Sequence, residues 1–389
     1  MRNSSKTKMN IKNTLAAGAL LMTLNVSCQQ SVVRSAADQT QPINLRIISR
    51  LPNQIIESSG IAISGSNRIW SHEDSGNANE IYCFDSTGNL LRTIAIGNVE
   101  NTDWEDMAVD SDENWFIGDF GNNNNTRTDL AIYKIPDPET VSGNYVSAEI
   151  IRFTFEDQNA FPPPSSNRNY DVEAMIWRND SLYLFTKDRS NPFTGITKMY
   201  VLPDEPGTHI ARLLDSRFIG NSTESGRITS ADINHHTGEL VLLTNTKLIS
   251  FTNYPGNRFF DGEVTEYIFT STPGQNEAIA FVSSNKLYMT EEGGGSTAGY
   301  LYEIILPVPQ SIPETNTKAL RVYPNPANGF LLMPDGSDVE KTLYNAAGQI
   351  VKIFGKSDAV LDISDLVNGI YFIMIQQKGE KQIGKFLKQ

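Results

Sequence analysis

The chain has 389 residues, enough for two or three domains, and its 39% hydrophobic and 9% aromatic content supplies a sizeable core. The formal net charge is −13, and the acidity is concentrated: residues 28–317 hold 38 acidic against 19 basic residues, while residues 319–389 carry seven against eight. Such an acidic middle region excludes nucleic acid and anionic lipid as expected partners and favours cations or neutral ligands.

Residues 1–28 read as an export signal. Arg2, Lys6, Lys8 and Lys12 give a basic start, and LAAGALLMTL (15–24) is an apolar core too short for a stable membrane span. LNVSC, ending at Cys28, is similar to a bacterial lipoprotein box, with Asn25 where an aliphatic residue is expected. Lipidation of Cys28 and plain cleavage nearby are both open on these residues, and either exports the protein. The other cysteine, Cys83 in IYCF, is expected to be a buried small hydrophobe, so no internal disulfide is predicted. No later stretch is apolar for long enough to form a transmembrane helix.

From residue 43 to 306 a strand pattern repeats five times. First strands are read in SSGIAIS (58–64), EDMAVD (105–110), VEAMIW (172–177), TSADIN (229–234) and NEAIAFV (276–282). Second strands are RIWSHED, WFIGD, LYLFTKD, LVLLTNT and LYMTEE; third strands are EIYCFD, AIYKIP, KMYVLP, KLISFTN and YLYEII. A fourth strand follows the first four units but not the fifth, where PVPQSIPETN begins at once. INLRIISRL (43–51) stands unassigned before the first unit and is expected to complete the last one, closing a ring. The predicted fold is all-β: a five-bladed β-propeller over 43–306, with an inserted loop in 137–170.

In such a ring, residues that open first strands and close second strands converge on one rim. Here they are Glu105, Glu173 and Glu277 from the first set, and Asp74, Asp119, Asp188 and Glu292 from the second, with Glu57 and Asp103 just before openings. The three glutamates are candidate metal ligands and candidate catalytic acids; the second set are candidate binding residues. Crowded carboxylates need compensation. A hard cation such as Ca²⁺ could take their oxygens, basic residues (Arg127, Lys187, Arg189, Arg227) could pair with them, or one could stay protonated as a general acid. Turn-holding by DSGN, DFGNN and DRSN is the competing reading of the aspartates. Trp104 is read either as a stacking platform at the funnel or as a wedge between blades, and His72 as a rim residue.

ESSGIA, HEDSGN, NEIYCFDSTG, DWEDMAV, GDFGNN and AIYKIPDPE resemble exported bacterial propellers related to the phytase-like and NHL-like families, over about residues 55–305. The resemblance implies fold more than activity. Calcium phytases of the wider class are six-bladed with Lys and Arg on phosphate; the five units and few basic residues here depart from that pattern.

A linker, PVPQSIPETNTK (307–318), precedes short strands with Asn-Gly and Ala-Gly turns over 319–389, predicting a small Ig-like β-sandwich. VYPNPANG, LYNAAGQIV, LDISDLVNGIYFIMI and the terminal KFLKQ resemble the type A sorting domain of the type IX secretion system of Bacteroidetes. The resemblance implies contact with that machinery and passage to the cell surface or medium, which favours plain cleavage at Cys28. The expected function is a secreted or outer-membrane surface propeller that binds a glycan or another small molecule through an acidic, Ca²⁺-holding funnel. The alternative is an extracellular hydrolase, glycosidase or metal-dependent phosphoesterase, using the funnel carboxylates.

Overall fold

The computed structural model describes residues 39–307, 317–332, 339–346, 350–377 and 380–389. The export signal, Cys28 and most of the 307–318 linker lie outside the described residues. The chain divides into two compact units between Ile305 and Leu306.

The first unit is built from five four-stranded antiparallel ladders. Their first strands are Ser58–Ile63, Trp104–Val109, Asp171–Trp177, Ser230–Ile233 and Asn276–Phe281. Second strands run Ile69–Glu73, Trp115–Asp119, Ser181–Lys187, Leu240–Leu243 and Lys286–Glu291. Third strands are Glu80–Phe84, Ala131–Ile135, Ile196–Pro203, Lys247–Thr252 and Tyr300–Ile305. Leu90–Ile96, Glu149–Phe155, Gly207–Phe218 and Glu263–Phe269 form the outer edges of the first four ladders. The fifth is completed by Arg46–Arg50, antiparallel to Tyr300–Ile305.

The sequence suggests one strand over 43–51; the chain makes two. Gln39–Ile43 runs parallel to the outer strand of the fourth ladder, and Arg46–Arg50 passes to the fifth. Outer edges of the second and third ladders also pair in parallel, Ile151–Phe155 with Gly207–Ala211, giving an eight-stranded sheet. Residues 137–170 contribute Tyr145–Val146, the outer strand Glu149–Phe155 and a single 3₁₀ turn.

Burial explains the patterns. First strands are packed on both faces, so their residues are buried almost without alternation, whereas Glu149–Phe155 alternates in and out as an outer strand should. Each first strand lies beside the next, and the fifth lies beside the first. Apolar clusters fill the gaps between neighbouring ladders: Trp70, Trp115 and Tyr133 between the first two, and Phe185, Phe251 and Phe260 between the third and fourth. Cys83 is fully buried in the first of these clusters, and burial pushes its thiol up to about 12, as suits an unreactive hydrophobe.

The inner edges of the first strands have no ladder partner, and an unpaired buried N–H is costly. Side chains supply the acceptors. Asp106, fully buried, accepts from the N–H groups of Met107 (3.0 Å), Met175 (2.9 Å) and Ala231 (3.3 Å) and from Ser230 Oγ (3.2 Å), tying three ladders together. Ser230 Oγ accepts from Ile279 N (3.2 Å), and Asp232 Oδ2 accepts from Phe281 N (2.6 Å), linking the fourth ladder to the fifth.

In the second unit, Thr317–Ala319, Glu380–Lys388, Gly369–Gln377, Lys341–Asn345 and Ile350–Phe354 form one sheet in that order. A two-stranded ribbon, Phe330–Leu332 with Val360–Asp362, shares its core through Leu331, Leu343, Leu361, Ile373 and Phe386. Among the described residues no helix is long and apolar enough to cross a membrane.

Candidate functional site: an acidic funnel on β-bulges

Local backbone irregularity builds the site. In four of the five ladders the register between first and second strand shifts at the opening: between Ser58 and Ile61, Trp104 and Met107, Val172 and Ala174, and Asn276 and Ala278. These bulges carry Ser59, Glu105, Glu173 and Glu277. A bulge adds a residue that the ladder does not pair and re-aims its side chain, and here three of the four bulges carry the aligned glutamates while the first carries Ser59. The fourth ladder pairs without a shift and opens with Thr229 and Ser230.

A cavity of about 490 Å³ opens at this end of the first strands. Its lining includes the carboxylates of Asp74, Glu105, Glu173, Glu224 and Glu277 and the basic groups of Lys187, Arg189 and Arg227. Its other lining residues are uncharged and polar apart from Gly274.

The carboxylates fall into two environments. Towards the third ladder they are compensated: Lys187 Nζ is 2.9 Å from Glu173 Oε2 and 3.9 Å from Glu277 Oε2, and Arg189 reaches Glu173 Oε1 at 3.0 Å and also holds Asp171. Burial alone would lower the pKa of Lys187, but Glu173 and Glu277 raise it, so it stays charged. Towards the first and second ladders Asp74, Asp103 and Glu105 form no ion pair among the described residues, and Lys187 and Arg127 act on Asp74 and Asp103 only through their more distant charge. One oxygen from each of Asp74, Asp103 and Glu105 lies within 4.8 Å of the others, and Glu105 belongs equally to a second such triad with Asp171 and Glu173. Burial, then the charges of Glu173, Asp74 and Asp103, push Glu105 well above the usual carboxylate range. Burial followed by Asp74 and Asp171 brings Asp103 to about 7. Burial also raises Asp74 and Glu277, and it brings Glu292, beside Glu277 and Asp74, to about 8.

Gly121, in GDFGNN, lets the backbone approach this cluster. A Cβ at that position would lie 2.1 Å from Glu105 Oε1 and 2.5 Å from Asp103 Oδ2. The pair of carboxylates therefore occupies the space that any other residue there would fill.

Several expected site residues have other tasks. Trp104 is fully buried, with its indole N–H on Glu100 O (3.1 Å) and its ring against His72 and Tyr133; it is a wedge, not a stacking platform. His72 is likewise fully buried and not on the rim, because both faces of its strand are packed. Asp188 accepts from Ser190 N, Thr194 N and Gly195 N, each at 2.8 Å, so it holds a turn. Asp119 accepts from Asp103 N (3.1 Å) and Tyr133 Oη (2.7 Å) and pairs with Arg127 at 2.9 Å. Arg127 also binds Gly121 O and Asp129, and neither it nor Asp119 lines the funnel. Asp103, outside the aligned set by two positions, is brought into the cluster by the bulge that follows it.

Residues 321–389 match the secretion system C-terminal sorting domain family. No curated protein matches the chain. Among solved structures, PorZ, a surface component of the type IX secretion system of Porphyromonas gingivalis, aligns at 11% identity and a TM-score of 0.36 over 85% of this chain; the chain spans 45% of that protein's length. XC5397, a gluconolactonase from Xanthomonas campestris, aligns at 15% identity and 0.35 over 64% of this chain and 72% of its own. The extracellular domain of BT4673 from B. thetaiotaomicron aligns at 9% and 0.33, over 88% and 59%. The sorting tail makes this a secreted or cell-surface protein carried by type IX secretion.

Proposed function

We propose that this type IX cargo is a five-bladed β-propeller whose funnel binds a small extracellular ligand, such as a glycan, through Ca²⁺ held by Asp74, Asp103 and Glu105. The observation that carries the reading is the uncompensated triad: Glu105 is buried, shares two carboxylate clusters, and faces Asp74 and Asp103 without a basic partner within ion-pair distance among the described residues. Three carboxylate donors and no nitrogen or sulfur ligand suit a hard cation that tolerates irregular geometry. The funnel lining holds five carboxylates against three basic groups, and Asp103 of the triad adds a sixth, an excess that favours a cation. Ligand hydroxyl or carboxylate oxygens would complete the shell.

Lys187 and Arg189 are engaged by Glu173 and Asp171. That engagement leaves neither cation free to hold a phosphate, which favours binding over phosphoester hydrolysis.

Thermal unfolding of the full chain in EDTA and in Ca²⁺ tests the proposal. Calcium at 100 times its Kd should stabilise the fold by about 2.7 kcal/mol, and Asp103→Asn and Glu105→Gln should each remove that gain. No gain, or a gain that survives both substitutions, would overturn the site.

A further inference from the structure

The opposite end of the first strands holds a second cavity of about 490 Å³, with a different chemistry. Its lining includes the half-buried Ile63, Val109, Phe281 and Val282, a rim of histidine, serine and asparagine, and one carboxylate, Asp232. The volume falls within the range of small-molecule sites, about 300–1,000 Å³.

Asp106 shows what a purely structural carboxylate looks like in this ring. It is fully buried, lies outside both cavity linings, and accepts four hydrogen bonds, so its lone pairs are filled. Asp232 also bridges two ladders, but with two bonds only, from Ile233 N to Oδ1 (2.8 Å) and from Phe281 N to Oδ2 (2.6 Å). A carboxylate has about four acceptor positions, which leaves two of them unfilled by the protein. Burial pushes Asp232 up to about 7, with no basic side chain among the causes acting against it. The nearest rim groups, His235 and His236, are exposed to solvent. Asp232 is half-buried, its unfilled acceptor positions face the cavity, and among the described residues no lysine or arginine pairs with it, so a ligand cation would be favoured there.

From this arrangement we infer that the cavity is a second ligand site for a small ammonium compound with an apolar body, its nitrogen on Asp232 and its body against Ile63, Val109 and Phe281. The site is independent of calcium and of the funnel. Recognition rests on one charge-assisted hydrogen bond beside an apolar wall, so an uncharged isostere should be discriminated against.

Calorimetry on the full chain with benzylammonium and benzyl alcohol reads this directly, at about pH 8 where Asp232 is ionised. Benzylammonium should bind about 10–100-fold tighter than the alcohol. Asp232→Asn should remove that preference, and Val282→Trp, which fills the half-buried rim of the cavity, should remove binding of both probes. Equal affinities, no binding of benzylammonium, or an ammonium preference that survives either substitution would overturn the inference. If Asp232→Asn does not fold, the two probes on the unaltered chain and on Val282→Trp still decide it, and a funnel-bound ammonium would be exposed by its indifference to Val282→Trp.

Discussion

His72 shows how far the surroundings of one residue set its chemistry. Its ring lies edge-on to Trp104 with centroids 5.5 Å apart, Nδ1 is 3.1 Å from Glu73 O, and Nε2 has no partner. Gly60 makes room for it, since a Cβ there would sit 2.5 Å from Nε2. Burial holds the pKa down at about 4, so the imidazole stays neutral. The unfolded value is ~6.5, so between the two the unfolded chain takes a proton that the folded chain refuses. Stability from the neutral ring is therefore complete above pH ~6.5 and lost as pH falls towards ~4, by about 3 kcal/mol in all. Urea unfolding of the native protein and His72→Leu from pH ~7 to ~4 should show the variant gaining on the native chain by up to that amount. A difference that stays constant with pH would mean that the ring takes its proton equally in the folded and unfolded chains, so that burial does not hold it neutral. None of this is legible in HEDSGN, because Trp70, Ser71 and His72 are all buried and the strand has no polar face to mark the rim. Composition marks the acidic character of the site, but it cannot separate Asp74, which accepts from its neighbour Ser75 N and lines the funnel, from Asp188, which holds a turn by hydrogen bonds that only the folded loop creates.

At the scale of elements, the bulged first strand is the device on which the site depends. Aligning repeats placed Glu105, Glu173 and Glu277 at equivalent positions, and the bulges explain why that alignment worked: the same extra residue occurs at the same place in three ladders. The fourth ladder lacks both bulge and carboxylate, and the first keeps the bulge with Ser59 in the glutamate's place. The repeat pattern carries no sign of the role of the neighbouring Asp106, since a bulge decides which of two successive acids faces the funnel and which turns into the ring. Its role leads to a prediction. Asn at 106 would turn an amide nitrogen towards backbone donors, leaving at least one buried N–H unsatisfied at about 1–3 kcal/mol. Asp106→Asn should lower stability by that amount, with faster amide exchange at Met175 and Ala231, which lie on the third and fourth ladders. A variant as stable as the native chain, with those amides equally protected, would show that the ring closes without this tie.

The whole molecule depends on a strand that comes first in sequence and last in the ring. The repeat made this legible: four complete units, a fifth lacking its outer strand, and a spare strand at the start. What the repeat could not show is the division of that strand, because pairing of Gln39–Ile43 with the fourth ladder is a contact between distant segments with no local signal. Arg46–Arg50 covers the edge of Tyr300–Ile305, with Arg46 paired to Glu303, Arg50 donating to Ala298 O at 2.6 Å, and its guanidinium 4.4 Å from the Tyr300 ring centre. Four residue pairs in this ladder, at about 1 kcal/mol per net hydrogen bond, give an order of 4 kcal/mol. That is a large share of the ~5–15 kcal/mol expected for a folded domain. A chain beginning at Leu51 should therefore unfold at markedly lower urea concentration and self-associate through the exposed edge. Moving residues 39–50 to follow Ile305 should restore the edge but not the link to the fourth ladder, recovering most of the midpoint. If the truncated chain unfolds at the native midpoint, the ring is held by its side-chain ties and apolar wedges, and the closing strand protects an edge without stabilising the fold.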